Sequence, residues 1–427
     1  MVSIARTVQR IKNQPLRIEG VLDAQLVEQV FADYGHHWRE RTLGPAQTIE
    51  LFIRQIMEGN ESCGYVRQWA GGAFTAGAYC AARSRLPLAA VWGLCQRIWE
   101  HLRVEHEQEQ PLWHGHRTFH LDGTSFSMPD TPELQDAFGQ PTGQAKGCGF
   151  PIAHLLVSFD ARTGMLLEAI PGPLYTHDLR DAHWIHRHLK RGDLLIGDKA
   201  FGSWVHLALL QSAGIDGLFP MHQRRKVANR KSFDRIETWP KPQAKPHWIS
   251  QEQFDALPEQ IQVRVVRRVI RRKGFRPLEV IMTTTLLDAK QYPADELVEL
   301  GRGRWSAELN IRHLKTTMGL EILKCKTVDG VLKEMAIFLL VYNLVRAVML
   351  KAAAAQNVEV DRISFADALA WIRCTSPGAA LWKLLVNPER RDRIEPRAVK
   401  RRPKEHARLN KPRDQMRLAL KKQRNRS

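Results

Sequence analysis

Apolar positions recur every three to four residues in Ala46-Gln-Thr-Ile-Glu-Leu-Phe-Ile-Arg-Gln-Ile-Met57 and again in Pro87-Leu-Ala-Ala-Val-Trp-Gly-Leu-Cys-Gln-Arg-Ile-Trp99. That spacing predicts a largely helical region over residues 19–104. Gly59, Gly71-Gly72 and Pro87 mark breaks between its helices. From Arg117 the pattern turns strand-like. Residues 119–127, 152–159 and 165–170 read as strands, with Asp160-Ala-Arg-Thr-Gly164 as the hairpin turn between the last two. A helix over about 178–189, a strand at 194–197, a helix from about Ser203 and a short strand at 217–219 follow. This order predicts a mixed sheet covered by helices, an α/β class. Residues 221–292 interrupt it with a basic opening (Arg224-Arg-Lys226), a Pro-rich loop holding Trp239 and Trp248, and strands at 261–270 and 278–285. The most apolar run, 335–350, contains Asn343 and Arg346; it is short for a membrane span and predicts a core helix.

Three acidic residues stand out against this pattern: Asp122 in Phe119-His-Leu-Asp-Gly-Thr-Ser-Phe126, Asp198 in Leu194-Leu-Ile-Gly-Asp-Lys-Ala-Phe201, and Glu308 in Arg304-Trp-Ser-Ala-Glu-Leu-Asn-Ile-Arg-His-Leu-Lys315. The first two lie in or at the end of apolar strands, where a lone carboxylate loses solvation unless a positive charge compensates it. A divalent metal is one compensator. The plainer readings are a turn at Asp122 beside Gly123, and at Asp198 a charge favoured by the N-terminus of the next helix. On one continuous helix of about 100° per residue, Arg304, Glu308, Ile311, Arg312 and Lys315 share a stripe, so the glutamate is framed by three cations. Taken alone, that helix reads as a surface helix laced with i, i+4 ion pairs.

The ordered set resembles the DDE transposases of the insertion-sequence 4 type, whose third motif reads Tyr-x2-Arg-x3-Glu-x6-Lys. The match runs through Arg304, Glu308 and Lys315 and covers about residues 117–346. The resemblance implies a ribonuclease-H-like mixed sheet with a β-rich insertion, preceded by a helical N-terminal domain. The corresponding segments are 1–112 (helical, DNA end binding), 113–220 (first part of the core), 221–292 (insertion), 293–375 (second part, with the glutamate) and 376–427 (basic tail). It further implies that Asp122, Asp198 and Glu308 are catalytic and hold Mg²⁺ or Mn²⁺, two ions in all. Double-stranded DNA with terminal inverted repeats and target DNA are the implied partners, and a homodimer assembles on DNA. Arg304, Lys315, Arg312, Trp305 and Lys199 are the implied DNA contacts beside the carboxylates. Trp239 and Trp248 would either stack on an unpaired base or pack the insertion's own core. Gly301 stands where the family has its DNA-contacting tyrosine, so Gly301→Tyr is expected to strengthen end binding.

Charge agrees with a nucleic-acid partner. Sixty-four Lys and Arg against 45 Asp and Glu leave +19, which attracts polyanions through counterion release. Residues 388–427 carry 16 basic and 5 acidic side chains, so 16 − 5 = +11 of that excess sits in the last forty positions. Either DNA contact or a solvated tail fits such a block. Arg67, Arg83 and Arg85 are further candidates for phosphate contacts in the helical region.

Six cysteines without a Cys-x2-Cys pair suggest neither a zinc knuckle nor a disulfide framework; they read as buried thiols in a reducing, cytoplasmic compartment. The start, Met-Val-Ser-Ile-Ala-Arg, lacks a signal-peptide apolar core. His177, His183, His186 and His188 lack the spacing of two ligands on one helical face, so they read as a polar helix face and no zinc site is expected. A nuclease on the same fold, or a degenerate copy that only binds DNA, remains the alternative to a transposase.

Overall fold

In the computed structural model, residues 24–39, 42–107, 111–176, 178–222, 225, 233–271, 277–374, 381, 383–388 and 411–424 are described. Two compact units emerge. The first takes Met1–Ile98, Ser125–Ala153 and Met318–Ser427, and the second Trp99–Thr124 and His154–Thr317. His177, Arg224 and Lys226, named above, lie outside the described residues.

The first unit is helical. Its helices are α1 (Ala24–Asp33), α2 (Pro45–Met57), α3 (Cys63–Trp69), α4 (Ala76–Arg85), α5 (Leu88–Glu107, shared with the second unit) and α6 (Pro132–Phe138). In α2, Pro45 presets the first turn, and Ile49, Phe52, Ile53 and Ile56 form the buried stripe that the spacing predicts. Ser62 and Thr75 cap α3 and α4 through their hydroxyls. The breaks fall at Gly59, Gly71 and Gly72, all at positive φ.

The apolar run 335–350 belongs to a longer helix than the sequence suggests. Numbered in chain order after five elements of the second unit, α7 to α11, it is α12 (Val328–Gln356), capped by Thr327 and ended by Asn357 in the left-handed region. At 29 residues it is long and apolar enough to cross a membrane, but 89% of its apolar window is buried inside the protein. Burial, not length, makes it a core helix. After it come α13 (Phe365–Cys374) and α14 (Arg413–Arg424).

The second unit is built on an eight-stranded sheet of order β3-β2-β1-β4-β5-β8-β7-β6. The strands are β1 (Thr118–Ser127), β2 (Ile152–Asp160), β3 (Leu166–Pro173), β4 (Leu194–Gly197), β5 (Asp216–Pro220), β6 (Phe233–Pro240), β7 (Gln260–Ile270) and β8 (Leu278–Thr284). Its helices are α7 (Asp178–His186), α8 (Trp204–Ser212), α9 (Gln251–Asp255), α10 (Ala294–Arg302) and α11 (Trp305–Arg312). β1, β4 and β5 are parallel, and β8, β7 and β6 continue the sheet antiparallel. This is the mixed α/β arrangement expected. β4 is buried at every position, as a strand flanked by parallel neighbours requires.

Two features depart from the sequence reading. The three strands of residues 221–292 extend the main sheet, β8 pairing with β5 at Leu218↔Thr284. β6 also occupies what read as a Pro-rich loop. Its sequence Phe-Asp-Arg-Ile-Glu-Thr-Trp-Pro shows little apolar alternation because it is an edge strand, with residues 234–236, 238 and 240 exposed and only Trp239 buried. Pairing with β7 and the Arg264–Asp234 ion pair at 2.6 Å hold it in register.

Candidate active site

Register places the two aspartates. β1 and β4 pair in parallel with Leu121 opposite Gly197, so Asp122 and Asp198 are the next residues along neighbouring chains. β4 ends there while β1 runs on, which opens the sheet at its carboxyl end, the usual place for ligand sites in parallel α/β sheets. Gly197 is required by close approach. A Cβ on it would fall 2.8 Å from the Phe201 ring and 3.3 Å from the Leu121 carbonyl. Asp198 Oδ1 accepts the Ala200 N–H at 2.6 Å, fixing the turn out of β4. Asp122 Oδ1 accepts only the adjacent Gly123 N–H, at 2.9 Å, from the backbone.

The glutamate arrives on a broken helix. The regular α-helix does not run unbroken from residue 301 to 315: α10 ends at Arg302, Gly303 and Arg304 keep right-handed helical dihedrals in a tighter turn, with the Ser306 N–H on the Gly303 carbonyl at 3.0 Å and the Ala307 N–H on the Arg304 carbonyl at 2.9 Å, and α11 starts at Trp305. The turn aims Arg304 at both carboxylates, with Nη1 3.3 Å from Asp122 Oδ2 and Nη2 2.8 Å from Glu308 Oε1. Ser306 Oγ lies 3.1 Å from His120 Nδ1, docking the first turn of α11 onto β1 two residues before Asp122. Neither Ser306 nor His120 stood out in the sequence. The only signal was a polar residue in each of two otherwise apolar contexts.

Burial pushes the Asp122 carboxyl up to about 6; Arg304 and the Gly123 N–H pull it down, while the charges of Asp198 and Glu308 push it up. The three carboxylates therefore feel one another. Among the described residues no three His, Cys, Asp or Glu side chains converge closely enough to cage an ion. The positive charge between Asp122 and Glu308 is the Arg304 guanidinium.

The other candidates divide. Trp305 is 62% exposed beside Arg304, and Lys199 is exposed beside Asp198. Arg312 is exposed at the end of α11, whereas Lys315 is half-buried on a π-helical turn, His313–Thr317. That wider turn takes Lys315 off the stripe expected from one regular helix. Trp239 and Trp248 belong elsewhere, as packing residues rather than base-stacking ones. Trp239 is 4% exposed on β6, carries the Arg225 guanidinium 3.4 Å over its ring and donates to Glu237; Trp248 packs on the same core.

Gly301 also differs from expectation. It faces the sheet, not solvent: a Cβ there would fall 2.2 Å from Met282 Cε and 3.7 Å from Leu218 Cδ2. A tyrosine at this position has no path to DNA. Arg83 does not face solvent either, since it donates to Gln55 and Cys325 and stacks over Phe52 at 3.7 Å, whereas Arg67 and Arg85 are exposed. The histidines of α7 form no common polar face. His186 pairs with His206 at 2.9 Å, and His188, just beyond the helix, contacts Glu168 at 2.7 Å. Cys95 and Cys148 are buried as expected, but Cys80 and Cys374 are exposed.

The profile of the family described as "Transposase DDE domain" matches residues 113–344, more than half of the chain. Transposase InsG for insertion sequence element IS4 of Escherichia coli (strain K12) is 26% identical over 323 residues, 69% of this chain and 70% of that protein. The putative transposase InsZ of the same strain is 28% identical over 103 residues, 24% of this chain and 34% of its own length. Among solved structures, the piggyBac transposase synaptic complex with hairpin DNA aligns with a TM-score of 0.46 at 8% identity, over 87% of this chain and 80% of that one. The family match spans the strands and helix that carry Asp122, Asp198 and Glu308, and the chain belongs to the DDE transposases of the insertion-sequence 4 type.

Proposed function

We propose that this chain is a DNA transposase that cuts the ends of its element and joins them to target DNA, with Asp122, Asp198 and Glu308 as the catalytic carboxylates. The observation that carries this reading is the juxtaposition of Asp122 and Asp198 by strand register, with Arg304 bridging Asp122 to Glu308. The donor set fits a hard divalent cation such as Mg²⁺ or Mn²⁺: all three side chains offer carboxylate oxygens, and one of them is short of donors and raised in pKa. Bound there, one or two ions would supply charge for the developing oxyanion and lower the pKa of an attacking water.

The chain's own residues do the rest. Asp122 stands on β1 and Asp198 on the turn just past β4, each one residue beyond the last paired position of the two parallel strands, so strand pairing fixes where both begin. Arg304 is held by carboxylates that a cation would claim, so its guanidinium becomes available to a DNA phosphate, which its planar fork suits. Trp305 offers an exposed aromatic face next to that arginine, and Lys199 and Arg312 add exposed cations for the backbone. Duplex DNA with inverted repeats, target DNA, a homodimer assembled on the two ends and a cytosolic setting complete the proposal.

The test is nicking of a labelled duplex copied from the DNA that flanks the reading frame. Mg²⁺-dependent nicking that chelator abolishes is expected. Asp122→Asn, Asp198→Asn and Glu308→Gln should each lose it by on the order of a thousandfold while still binding the duplex. Cleavage retained in any of the three would remove that residue from the assignment. Binding without any wild-type nicking would favour the degenerate DNA-binding alternative.

A further inference from the structure

The last helix is basic, outward-facing and tied down at one end. α14 carries Arg413, Arg417, Lys421, Lys422 and Arg424 against one acid, Asp414, so 5 − 1 = +4 over 12 residues. At about 100° per residue, Arg413, Arg417, Lys421 and Arg424 fall within about 80° of arc. None of its residues is buried. Its start is fastened within the first unit: Arg413 Nη1 lies 3.1 Å from Asp130 Oδ2 and 3.1 Å from the Gly149 carbonyl, and its guanidinium sits 4.0 Å over the Phe150 ring. The Arg413 N–H also donates to the Gly147 carbonyl at 3.2 Å, and Pro412 packs on Gly147 closely enough that a Cβ there would lie 3.1 Å away.

An anchored first turn thus presents a cationic stripe beyond it. From Arg417 to Arg424 the stripe spans seven residues, about 10.5 Å of helix. Along one DNA strand that length covers about three phosphates at roughly 3.4 Å of axis each. Asp414 pairs with Arg417 at 3.1 Å with both side chains mostly in water, so exchange of that pair for a phosphate costs little.

We propose that the Arg417, Lys421 and Arg424 stripe of α14 is a docking surface for the phosphate backbone of duplex DNA, held in place by the Arg413 anchor. The inference rests on the proposed function for the presence of DNA but concerns a surface outside the catalytic carboxylates. Contacts of this kind carry no base information, so they strengthen binding to element ends and to unrelated duplex alike.

The experiment uses the full chain and its Arg417→Gln/Lys421→Gln/Arg424→Gln variant, which keeps strong helix formers on an exposed helix. Binding to an unrelated duplex and to the flanking-DNA duplex is read by fluorescence anisotropy over a range of salt. The triple variant should lower the slope of log K against log salt by about 2.7, three contacts at about 0.9 each, on both duplexes. Met416→Gln/Leu420→Gln, on the adjoining arc, should leave the slope unchanged. An unaltered slope in the triple variant overturns the proposal, and so does equal weakening by the Met416/Leu420 variant, which would show that α14 acts through its fold or its apolar arc and not through the cationic stripe. Nicking by the wild type alongside an unaltered slope sinks only this inference. A wild type that binds neither duplex sinks both this inference and the transposase reading.

Discussion

Two carboxylates, one in each unit, show how the same side-chain chemistry yields a fastening in one place and a reactive site in another. Glu334, fully buried on α12, accepts N–H groups from Lys324 at 2.9 Å and Cys325 at 2.8 Å and the Asn60 side-chain amide at 2.5 Å. Lys324 Nζ closes the network on the Asn60 carbonyl, and Arg83 reaches the same cluster through Cys325 Sγ at 2.9 Å. Every donor is fixed by backbone or by packing. Asp122 has its neighbour's N–H and one long guanidinium contact, and two further acids face it. Saturated with fixed donors, a buried carboxylate locks a fold; left short of them among like charges, it keeps an unmet demand for positive charge, which is what a metal or phosphate site requires.

The largest effect that would test this contrast is on stability. Glu334→Ala strands two backbone N–H groups and an amide in the core, so unfolding in urea should show a loss of about 3–5 kcal/mol. A loss under about 1 kcal/mol would mean that the cluster is no fastening.

A third polar site falls between the two extremes, because it is satisfied only while neutral. His206 Nδ1–H donates to the Phe201 carbonyl at 2.8 Å, so its Nε2 accepts from His186 Nε2–H at 2.9 Å. Burial lowers His206 to about 4, from an ordinary 6.5. A protonated His206 would set two N–H groups against each other. The folded state therefore resists a proton that the unfolded state takes up below 6.5; stability is complete above that pH and declines as pH falls toward 4. At pH 5 the loss from His206 is about 2 kcal/mol, at about 1.4 per pH unit. Urea melts at pH 7.5 and pH 5 should differ by that much more in the wild type than in His206→Asn; equal differences would contradict the assignment.

The remaining effects concern the site itself. Gly301→Tyr should lower stability by about 1–3 kcal/mol through overpacking against Met282 and should not strengthen DNA binding; tighter binding would mean that α10 turns a different face. Asp122→Asn should act in the opposite sense to Glu334→Ala. Its raised carboxyl costs stability above about pH 4, in full above about pH 6, so at pH 7 the amide should raise stability by up to about 3 kcal/mol, about two pH units at about 1.4 each. Destabilisation comparable to that of Glu334→Ala would erase the distinction between the two carboxylates.

Much of the frame was legible in the chain. Strands β1, β2, β4 and β7 fall within a residue or so of the spans read from alternation and apolar runs, since period and turn residues are local properties. The helix caps and glycine breaks of the first unit are local too. Three acidic motifs in a fixed order, set in apolar strands or beside cations, were enough to point to the family.

Other features were not local, and the sequence did not contain them in readable form. β6 looks like a loop because an edge strand needs no buried stripe, and only pairing with β7 makes it a strand. The faces presented by Gly301 and Trp239 depend on what packs against their elements, which periodicity does not specify. The expected stripe from Arg304 to Lys315 assumed one regular helix; Arg304 keeps its i, i+4 contact with Glu308, and the π-helical turn after Arg312 redirects the far end. By itself, then, the sequence determined the kinds of element, their order and the residues able to do the chemistry. Tertiary structure decided which of those residues meet, because register and facing are set by pairing and burial between segments far apart in the chain.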